Sequence, residues 1–299
     1  MITAFDCAFN EQRRRLLGSM IGAAGICLLK IEYALGQSGN AQVTVLTERY
    51  GNLLQSLVSD PELLKTARGQ GERRILAMNL GLEILGASVD RRTPPSSTLI
   101  SQRATDLIIQ VEVSDENYYN KFCKRPTWPE EQSGVTVGIG YDIGYVTKDF
   151  LKEDWQEFVE GDVIEKLSVA CGKKKESAKE LIDSLRDIEI TWAAAVSQYL
   201  KKTQPLYVGE TEANLPNTKL LSPDSLGALV SLVYNRGASF NSSGDRYEEM
   251  RNIKMHMADK EFDKIPDELR SMTRLWPGTG LVKRREAEAA LFELGLAST

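Results

Sequence analysis

Residues 134–145 read GVTVGIGYDIGY, the most informative pattern in the chain. Positions 135, 137 and 139 are apolar and alternate with Thr136, Gly138 and Gly140. Such an alternation predicts a strand that buries one face. Glycine inside a strand often marks the close approach of a ligand or of another part of the chain. The segment therefore predicts a β-hairpin that borders a cleft.

A helix that ends in a carboxylate precedes this hairpin. Residues 105–112, TDLIIQVE, carry apolar side chains at helical spacing and end at Glu112. The hairpin itself offers the hydroxyl of Thr136 and the carboxylate of Asp142. Two carboxylates and a hydroxyl around one cleft are what glycoside hydrolysis needs. The constellation therefore points to hydrolysis of a sugar chain.

The composition sets the broad class of protein. A chain of 299 residues is long enough for one large domain or two ordinary ones. Its 42% apolar and 26% charged content is typical of a globular protein with a packed core. The formal net charge of -5 offers no basic footprint, so nucleic acid is not an expected partner.

Metal and cofactor signatures are missing from the sequence. The four cysteines are scattered without a CxxC pair, and His256 is the one histidine, so a structural zinc site is not expected. No HExxH, Walker or Rossmann glycine pattern occurs. We therefore expect no metal and no cofactor, and we interpret His256 as an ordinary residue of an amphipathic helix.

The chain divides at a segment rich in proline and serine. Residues 88–101, SVDRRTPPSSTLIS, read as a linker. Residues 1–95 show helical patterns and predict a helical bundle without a chemical motif; residues 96–299 predict a second, catalytic domain. The fold class predicted is mainly α (α+β), with one small antiparallel sheet in the second domain.

The amino-terminal segment admits two interpretations. Three arginines at 13–15 precede fourteen residues without a charge, LLGSMIGAAGICLL. This run is too short to span a membrane, so stable membrane insertion is not expected. The segment resembles a twin-arginine export signal in outline, and it also fits a closely packed helix with small residues at its contact face.

The second half has clear helix boundaries. Ser222 and Pro223 predict a helix start, and Gly237 predicts its end. Residues 205–220 predict a loop, and residues 281–295 predict a final helix.

Four blocks of sequence carry a family resemblance. They are Glu112 after its apolar helix, GVTVGIGYDIGY, ALVSLVYNRG at 228–237 and GLVKRREAE at 280–288. In this order they resemble the phage-type lysozymes (muramidases), and most closely the pesticin-like branch, over about residues 104–295. The resemblance implies a lysozyme-like domain that hydrolyses the β-1,4 bond between N-acetylmuramic acid and N-acetylglucosamine in peptidoglycan.

The resemblance also implies catalytic roles. Glu112 matches the family's general acid, Asp142 matches the second carboxylate of the pesticin-like branch, and Thr136 matches the threonine that opens the strand. Each has an ordinary alternative: a helix-end glutamate in an ion pair, an aspartate that holds a turn, and a β-branched strand residue.

The second carboxylate has other candidates. Ordinary phage lysozymes place an aspartate between the glutamate and the strand, where this chain has Asp115, only three residues after Glu112. Glu130 and Glu131 also lie near the hairpin. The assignment of Asp142 therefore stays open at this point.

Substrate-binding roles are implied for Tyr141, Asn235, Arg236 and Arg284. Tyr141 either lines the sugar groove or packs internally, and Asn235 and Arg236 either contact sugar groups or cap a helix. We expect the pair Arg284 and Arg285 to place one guanidinium near Glu112 and the other on a surface. The alternative for both arginines is a solvated basic helix face.

The implied biology is that of a wall-degrading protein. An antibacterial toxin or effector, or a phage lysin, would be made in the bacterial cytoplasm and act on peptidoglycan glycan strands in the periplasm or cell wall. Residues 1–95 would then bind a secretion machine or an immunity protein. The alternative function is a catalytically inactive lysozyme-like domain that serves as a glycan-binding or structural module.

Overall fold

A computed structural model describes residues 41–58, 92–129 and 133–298. The described residues all fall within one compact unit. In chain order the regular elements are α1 (Ala41–Val58), α2 (Gln102–Val113), α3 (Glu116–Phe122), β1 (Thr136–Val137), β2 (Tyr141–Asp142), α4 (Lys148–Trp155), α5 (Gly161–Leu167), α6 (Glu176–Lys179), α7 (Ile182–Leu185), α8 (Trp192–Gln198), α9 (Gln204–Asn214), α10 (Pro223–Arg236), α11 (Glu248–Asp259), α12 (Ile265–Ser271) and α13 (Gly280–Ala297).

The predicted fold class is confirmed. The described part of the chain is mainly helical, and β1 and β2 form a two-stranded antiparallel sheet. The register pairs Thr136 with Asp142 and Val137 with Tyr141. Of the helical bundle predicted within residues 1–95, only α1 and the segment from residue 92 onward lie inside the described residues.

Helix α10 forms the centre of the core. Ser222 caps it by accepting a hydrogen bond from the backbone N–H of Ser225, and it ends at Gly237, whose φ is 71°. Both boundaries confirm the prediction from sequence. Every residue from Asp224 to Arg236 is buried, because α2, α9 and α13 pack around the helix.

Two glycines let neighbouring helices approach α10 closely. A Cβ at Gly227 would overlap the Cβ of Ala104 on α2. A Cβ at Gly295 on α13 would overlap the hydroxyls of Ser222 and Ser225. The close packing brings the first turn of α2 and the last turns of α13 against the first part of α10.

Helix α1 packs against α2 and α13. The hydroxyl of Tyr50 donates to the backbone oxygen of Arg103 at 2.8 Å, and the hydroxyl of Ser114 donates to that of Val58 at 3.0 Å. Helix α1, which the sequence assigns to the amino-terminal bundle, thus contributes to the same core as α2. The boundary at residue 95 itself stays a prediction.

The segment that the sequence predicts as a linker lies along α9. The backbone N–H of Ser96 donates to the backbone oxygen of Pro205 at 2.9 Å. The backbone oxygen of Pro94 lies so close to Gly209 that a Cβ there would overlap it. Residues 92–100 have no regular secondary structure, yet these contacts fix them to the helical core.

The loop predicted over residues 205–220 is wrong for residues 205–214, which belong to α9. A π-helical turn at Tyr199–Thr203 joins α8 to α9, so the helical backbone continues to Asn214. Pro205 lies directly after this π-helical turn, and Gly209 is explained by the close approach of residue 94. Both residues look like loop signals in the sequence alone.

Asp106 on α2 should make the stability of the protein depend on pH. Burial raises the pKa of Asp106 from 3.8 to about 6, although the hydrogen bond from Gln102 (2.6 Å) opposes the shift. A carboxyl whose pKa is higher in the folded state stabilises the fold when protonated, and this contribution is lost as the pH rises from about 4 to about 6. We expect Asp106→Asn, which retains an acceptor for Gln102, to raise the free energy of unfolding at pH 7.5 by at most about 3 kcal/mol. Urea titrations of both proteins at pH 4.5 and 7.5 measure this effect, and an equal difference at the two pH values would contradict it.

Candidate functional site

Glu112 occupies the last turn of α2, at the edge of the core. Only 8% of its side chain is exposed, and its Oε1 accepts a hydrogen bond from Nη1 of Arg284 at 3.0 Å. Ser101 caps the amino terminus of α2 and Leu107, Ile108 and Val111 are buried, so the apolar face of the helix fixes where Glu112 points. The carboxylate is therefore held in place by both its helix and its arginine.

The tip of the hairpin lies against this carboxylate. Gly138 and Gly140 have φ of 59° and 70°, values that favour glycine. A Cβ at Gly140 would lie 2.8 Å from Oε2 of Glu112, so a side chain there would collide with the carboxylate. The hydroxyl of Tyr234 on α10 donates to the backbone oxygen of Ile139 at 2.5 Å. The glycines predicted that another part of the chain approaches the hairpin closely. The structure shows this approach, and Glu112 is one of the residues that make it.

Thr136 and Asp142 face each other across the hairpin. They are paired in register, so their side chains lie on the same face of the sheet. The hydroxyl of Thr136 is buried and makes no hydrogen bond to any described residue. A buried hydroxyl without a protein partner is suited to binding a water molecule or a substrate group.

Asp142 binds the backbone of the hairpin. Its carboxylate accepts hydrogen bonds from the N–H of Gly134 (3.1 and 3.2 Å) and of Gly144 (2.9 Å). These are the contacts of an aspartate that holds a turn, the ordinary alternative noted from the sequence. They also fix the direction of the carboxylate beside Thr136, so the structure is compatible with both interpretations.

Gly134 leaves no room for a side chain next to Asp142. A Cβ there would overlap Oδ1 of Asp142 and the backbone of Gly144. We expect Gly134→Ala to lower the free energy of unfolding by about 2–3 kcal/mol, because it would push these groups apart. Gly161→Ala is a matched control, since Gly161 has no atom within 4 Å of the added methyl group, and it should be neutral or slightly stabilising. Chemical denaturation measures both, and equal stabilities of the two variants would contradict the prediction.

Tyr141 is buried under the hairpin. Its ring makes an edge contact with Trp155, with centroids 5.6 Å apart, and its hydroxyl donates to Oδ2 of Asp154 at 2.7 Å. The residue is 7% exposed. Of the two interpretations made from the sequence, the structure places Tyr141 in internal packing.

Arg284 connects Glu112 to the centre of the protein. Besides Glu112, it binds Oε1 of Glu288 through Nε (3.1 Å) and the backbone oxygen of Ser231 through Nη2 (3.0 Å). The expectation that one guanidinium lies near Glu112 is confirmed. The side chains of Glu112, Arg284 and Glu288 are almost completely buried. These contacts therefore restrict the Glu112 carboxylate and the Arg284 guanidinium to one arrangement.

The expectation that Arg285 lies on a surface is wrong. Its side chain is completely buried, and Nη1 binds Oε2 of Glu288 at 2.6 Å. Its Nη2 donates to Oδ1 of Asn235. Glu288 lies three and four residues after the two arginines and so binds both on one helix face. Sequence reasoning missed Glu288, although this spacing was a signal that could have found it.

Asn235 and Arg236 end α10 inside the protein. Asn235 is 6% exposed and Arg236 is 1% exposed. Arg236 donates to the backbone oxygen of Arg246 at 2.7 Å, and its guanidinium lies 5.0 Å from the ring centre of Trp276. Their observed contacts are with the protein, and Trp276 is buried.

Of the other acidic candidates, Asp115 lies within the described residues. Asp115 is exposed and caps α3 by accepting from the N–H of Tyr118 at 2.7 Å. Glu130 and Glu131 lie outside the described residues. His256 is a residue of α11, as predicted, with Nδ1 3.1 Å from Glu261.

Within residues 41–58, 92–129 and 133–298, no group of three or more potential ligands is placed to hold a metal ion. Among the same residues, no helix combines the length and the apolar character needed to cross a membrane.

These elements define the class of site: a buried glutamate, oriented by an arginine and pressed against a glycine-rich hairpin in a mainly helical domain. Residues 107–206 match the model of a family described as a domain of unknown function, DUF8812. No curated protein matches the chain. The matched region contains Glu112 and the hairpin but not Arg284, so the function has to be argued from the site as a whole.

Proposed function

We propose that this protein is a peptidoglycan hydrolase that cleaves the β-1,4 bond between N-acetylmuramic acid and N-acetylglucosamine. The observation that carries the proposal is the contact between Glu112 and Gly140, with Arg284 on the other carboxyl oxygen. A glutamate fixed in this way at the edge of a glycine-rich hairpin is suited to deliver a proton to one atom of a bound glycan. The resemblance to phage-type lysozymes points to the same residues.

The chemistry assigns one role to each group. The reaction uses the protonated form of Glu112, which donates its proton from Oε2, beside the hairpin, to the glycosidic oxygen as the bond to C1 of the muramic acid breaks. A water molecule held by the hydroxyl of Thr136 attacks C1 and gives a proton to the carboxylate of Asp142. The products are a free glucosamine hydroxyl and a muramic acid reducing end.

Asp142 suits this role only in a fixed orientation. Its hydrogen bonds from Gly134 and Gly144 provide that orientation. An ionised carboxylate has about four acceptor positions, so backbone contacts and a water molecule are chemically compatible. The arrangement supports Asp142 as the group that directs the water.

The proposed biological setting follows from the substrate. Peptidoglycan lies outside the cytoplasm, so we propose that the protein acts in the periplasm or cell wall as an antibacterial toxin, an effector or a phage lysin. In this proposal residues 1–95 bind a delivery component or an immunity protein. Deleting residues 1–40, which precede the described part of the chain, and comparing lysis from outside the cell with lysis after periplasmic targeting separates delivery from catalysis.

One observation favours a second function. Asp142 accepts hydrogen bonds from the hairpin backbone, and Glu112 is in an ion pair, as in a site that serves structure alone. A glycan-binding module without catalysis would have these contacts. Such a protein would sediment with purified peptidoglycan and release no soluble fragments from it.

Mass spectrometry of digested sacculi tests the proposed function. Sacculi are incubated with the purified protein, and the soluble products are reduced with borohydride. We expect N-acetylmuramitol at the new ends. New N-acetylglucosaminitol ends or severed peptide stems would overturn the assignment of the bond, and binding without release would favour the second function.

A further inference from the structure

A buried carboxylate connects the hairpin to the segment before α2. Asp154 on α4 is 1% exposed. It accepts two hydrogen bonds from Arg92, at 2.6 and 2.8 Å, and one from the hydroxyl of Tyr141 at 2.7 Å. The two donors come from separate parts of the chain and meet at one acceptor.

The chemistry of each partner fits a fixed link. Arg92 binds the carboxylate with two parallel N–H groups, which sets its angle as well as its distance. The ring of Phe150 lies 4.2 Å from the same guanidinium. Burial, followed by the charge of Asp154, raises the pKa of Tyr141 well above its usual range, so the hydroxyl keeps its proton and remains a donor.

Helix α4 holds both sides of the hairpin turn through adjacent residues. Asp154 binds Tyr141, which directly follows Gly140. Trp155 lies against the other side, where a Cβ at Gly138 would be 2.7 Å from its ring. The turn between them is the part of the hairpin that touches Glu112, so a shift of Tyr141 would move Gly140 relative to that carboxylate.

Arg92 belongs to a segment that is itself fixed. The contacts of residues 94 and 96 with α9 hold this segment on the core. Arg92 precedes the region of lysozyme resemblance, which begins at about residue 104, and it lies 62 residues from Asp154 in the sequence. No motif in the hairpin region would therefore identify it.

We propose that Arg92 is a positioning residue that acts through Asp154 and Tyr141 to hold the hairpin turn against Glu112. Its effect on catalysis rests on the proposed hydrolase function. Loss of a purely structural ion pair would change stability alone. Loss of a positioning residue would also lower kcat, the rate at which the bound glycan is cleaved.

Four variants of the full chain test this inference. Arg92→Met removes both hydrogen bonds, and we expect kcat on sacculus-derived glycan strands to fall by roughly 10- to 100-fold with KM changed less than about twofold. Arg92→Lys restores the charge but not the two parallel bonds, so it should recover thermal stability and only part of kcat. Tyr141→Phe should lower kcat by the same route. Glu153→Gln is the matched control, since Glu153 is an exposed partner of Arg92 at 3.1 Å, and it should leave kcat unchanged.

The double variant distinguishes a shared route from two separate effects. If Arg92 and Tyr141 both act through Asp154, Arg92→Met with Tyr141→Phe should lose clearly less than the product of the two single losses. A loss of kcat in the double variant equal to the product of the two single losses would overturn the inference. A full recovery of kcat by Arg92→Lys would also overturn it.

Hydrogen exchange gives a readout that needs no activity. We expect Arg92→Met to speed exchange in peptides covering residues 136–142 by at least about tenfold, and Glu153→Gln to leave it unchanged. Unchanged exchange in Arg92→Met would overturn the inference. Faster exchange in a protein that releases nothing from sacculi would refute the proposed hydrolysis and leave the link between Arg92 and the hairpin established.

Discussion

Glu112→Gln should release muropeptides from sacculi at least about 10³-fold more slowly than the wild-type protein. Glutamine has nearly the same shape and can still accept the hydrogen bond from Arg284, which reaches Oε1 at 3.0 Å. It has no acidic proton to donate to the glycosidic oxygen, so bond cleavage loses its general acid. Initial rates of dye release from labelled sacculi, measured across pH 5–8, give the size of the effect.

Two controls distinguish loss of the bond-cleavage step from a general loss of charge or of substrate binding. Glu116→Gln removes an exposed carboxylate from the start of α3 and should leave the rate unchanged. Binding of the Glu112→Gln protein to sacculi should match that of the wild type, because the substitution is made at a residue that is only 8% exposed. A rate within about threefold of wild type would remove Glu112 from the mechanism.

Arg284→Met should lower the free energy of unfolding by about 3–5 kcal/mol. The substitution leaves the carboxylates of Glu112 and Glu288 without this guanidinium, and both lie almost completely out of water. It also removes the donor to the backbone oxygen of Ser231. Urea titration at pH 7 measures the loss.

The charge network offers both a control and a partial rescue. Lys283→Met makes the same change of charge at an exposed neighbouring position and should stay within about 1 kcal/mol of the wild type. Adding Glu112→Gln to Arg284→Met removes one of the stranded charges, so the double variant should be more stable than Arg284→Met alone. If Arg284→Met and Lys283→Met were equally stable, the buried network would have no role in stability.

The sequence predicts the parts of the site that rest on local pattern. The alternation around Gly138 and Gly140 reveals the hairpin, and the apolar spacing before Glu112 reveals the helix. Ser222 and Gly237 mark both ends of α10, because a cap and a left-handed backbone position need particular residue types. Such features can be read from neighbours in the chain.

Other features depend on distant partners and escape this kind of reading. Arg285 looks like a surface charge until Glu288 and Asn235 are seen to enclose it. A tyrosine such as Tyr141 suits a sugar groove as well as a protein core. Its contacts with Asp154 and Trp155 show that it packs internally. Arg92 lies in a segment of linker composition, yet it binds Asp154, which lies 62 residues further along the chain.

Helix α9 shows how a local signal misleads. Pro205 and Gly209 predict a loop, but the helical backbone continues through both residues. Gly209 is a glycine because the backbone of residue 94 passes too close to it for a side chain to fit. The π-helical turn before α9 continues the preceding helix, and periodicity counted at 3.6 residues per turn does not detect it.

Digestion of sacculi in oxygen-18 water, by the wild-type protein and by Glu112→Gln in parallel, shows whether water cleaves the glycosidic bond and whether Glu112 is needed. With immediate borohydride reduction and mass spectrometry, we expect N-acetylmuramitol ends that carry the label in the wild-type digest and almost none in the Glu112→Gln digest. Labelled ends produced at equal rates by both proteins, or unlabelled anhydro ends, would contradict proton donation by Glu112 to a glycosidic bond cleaved by water.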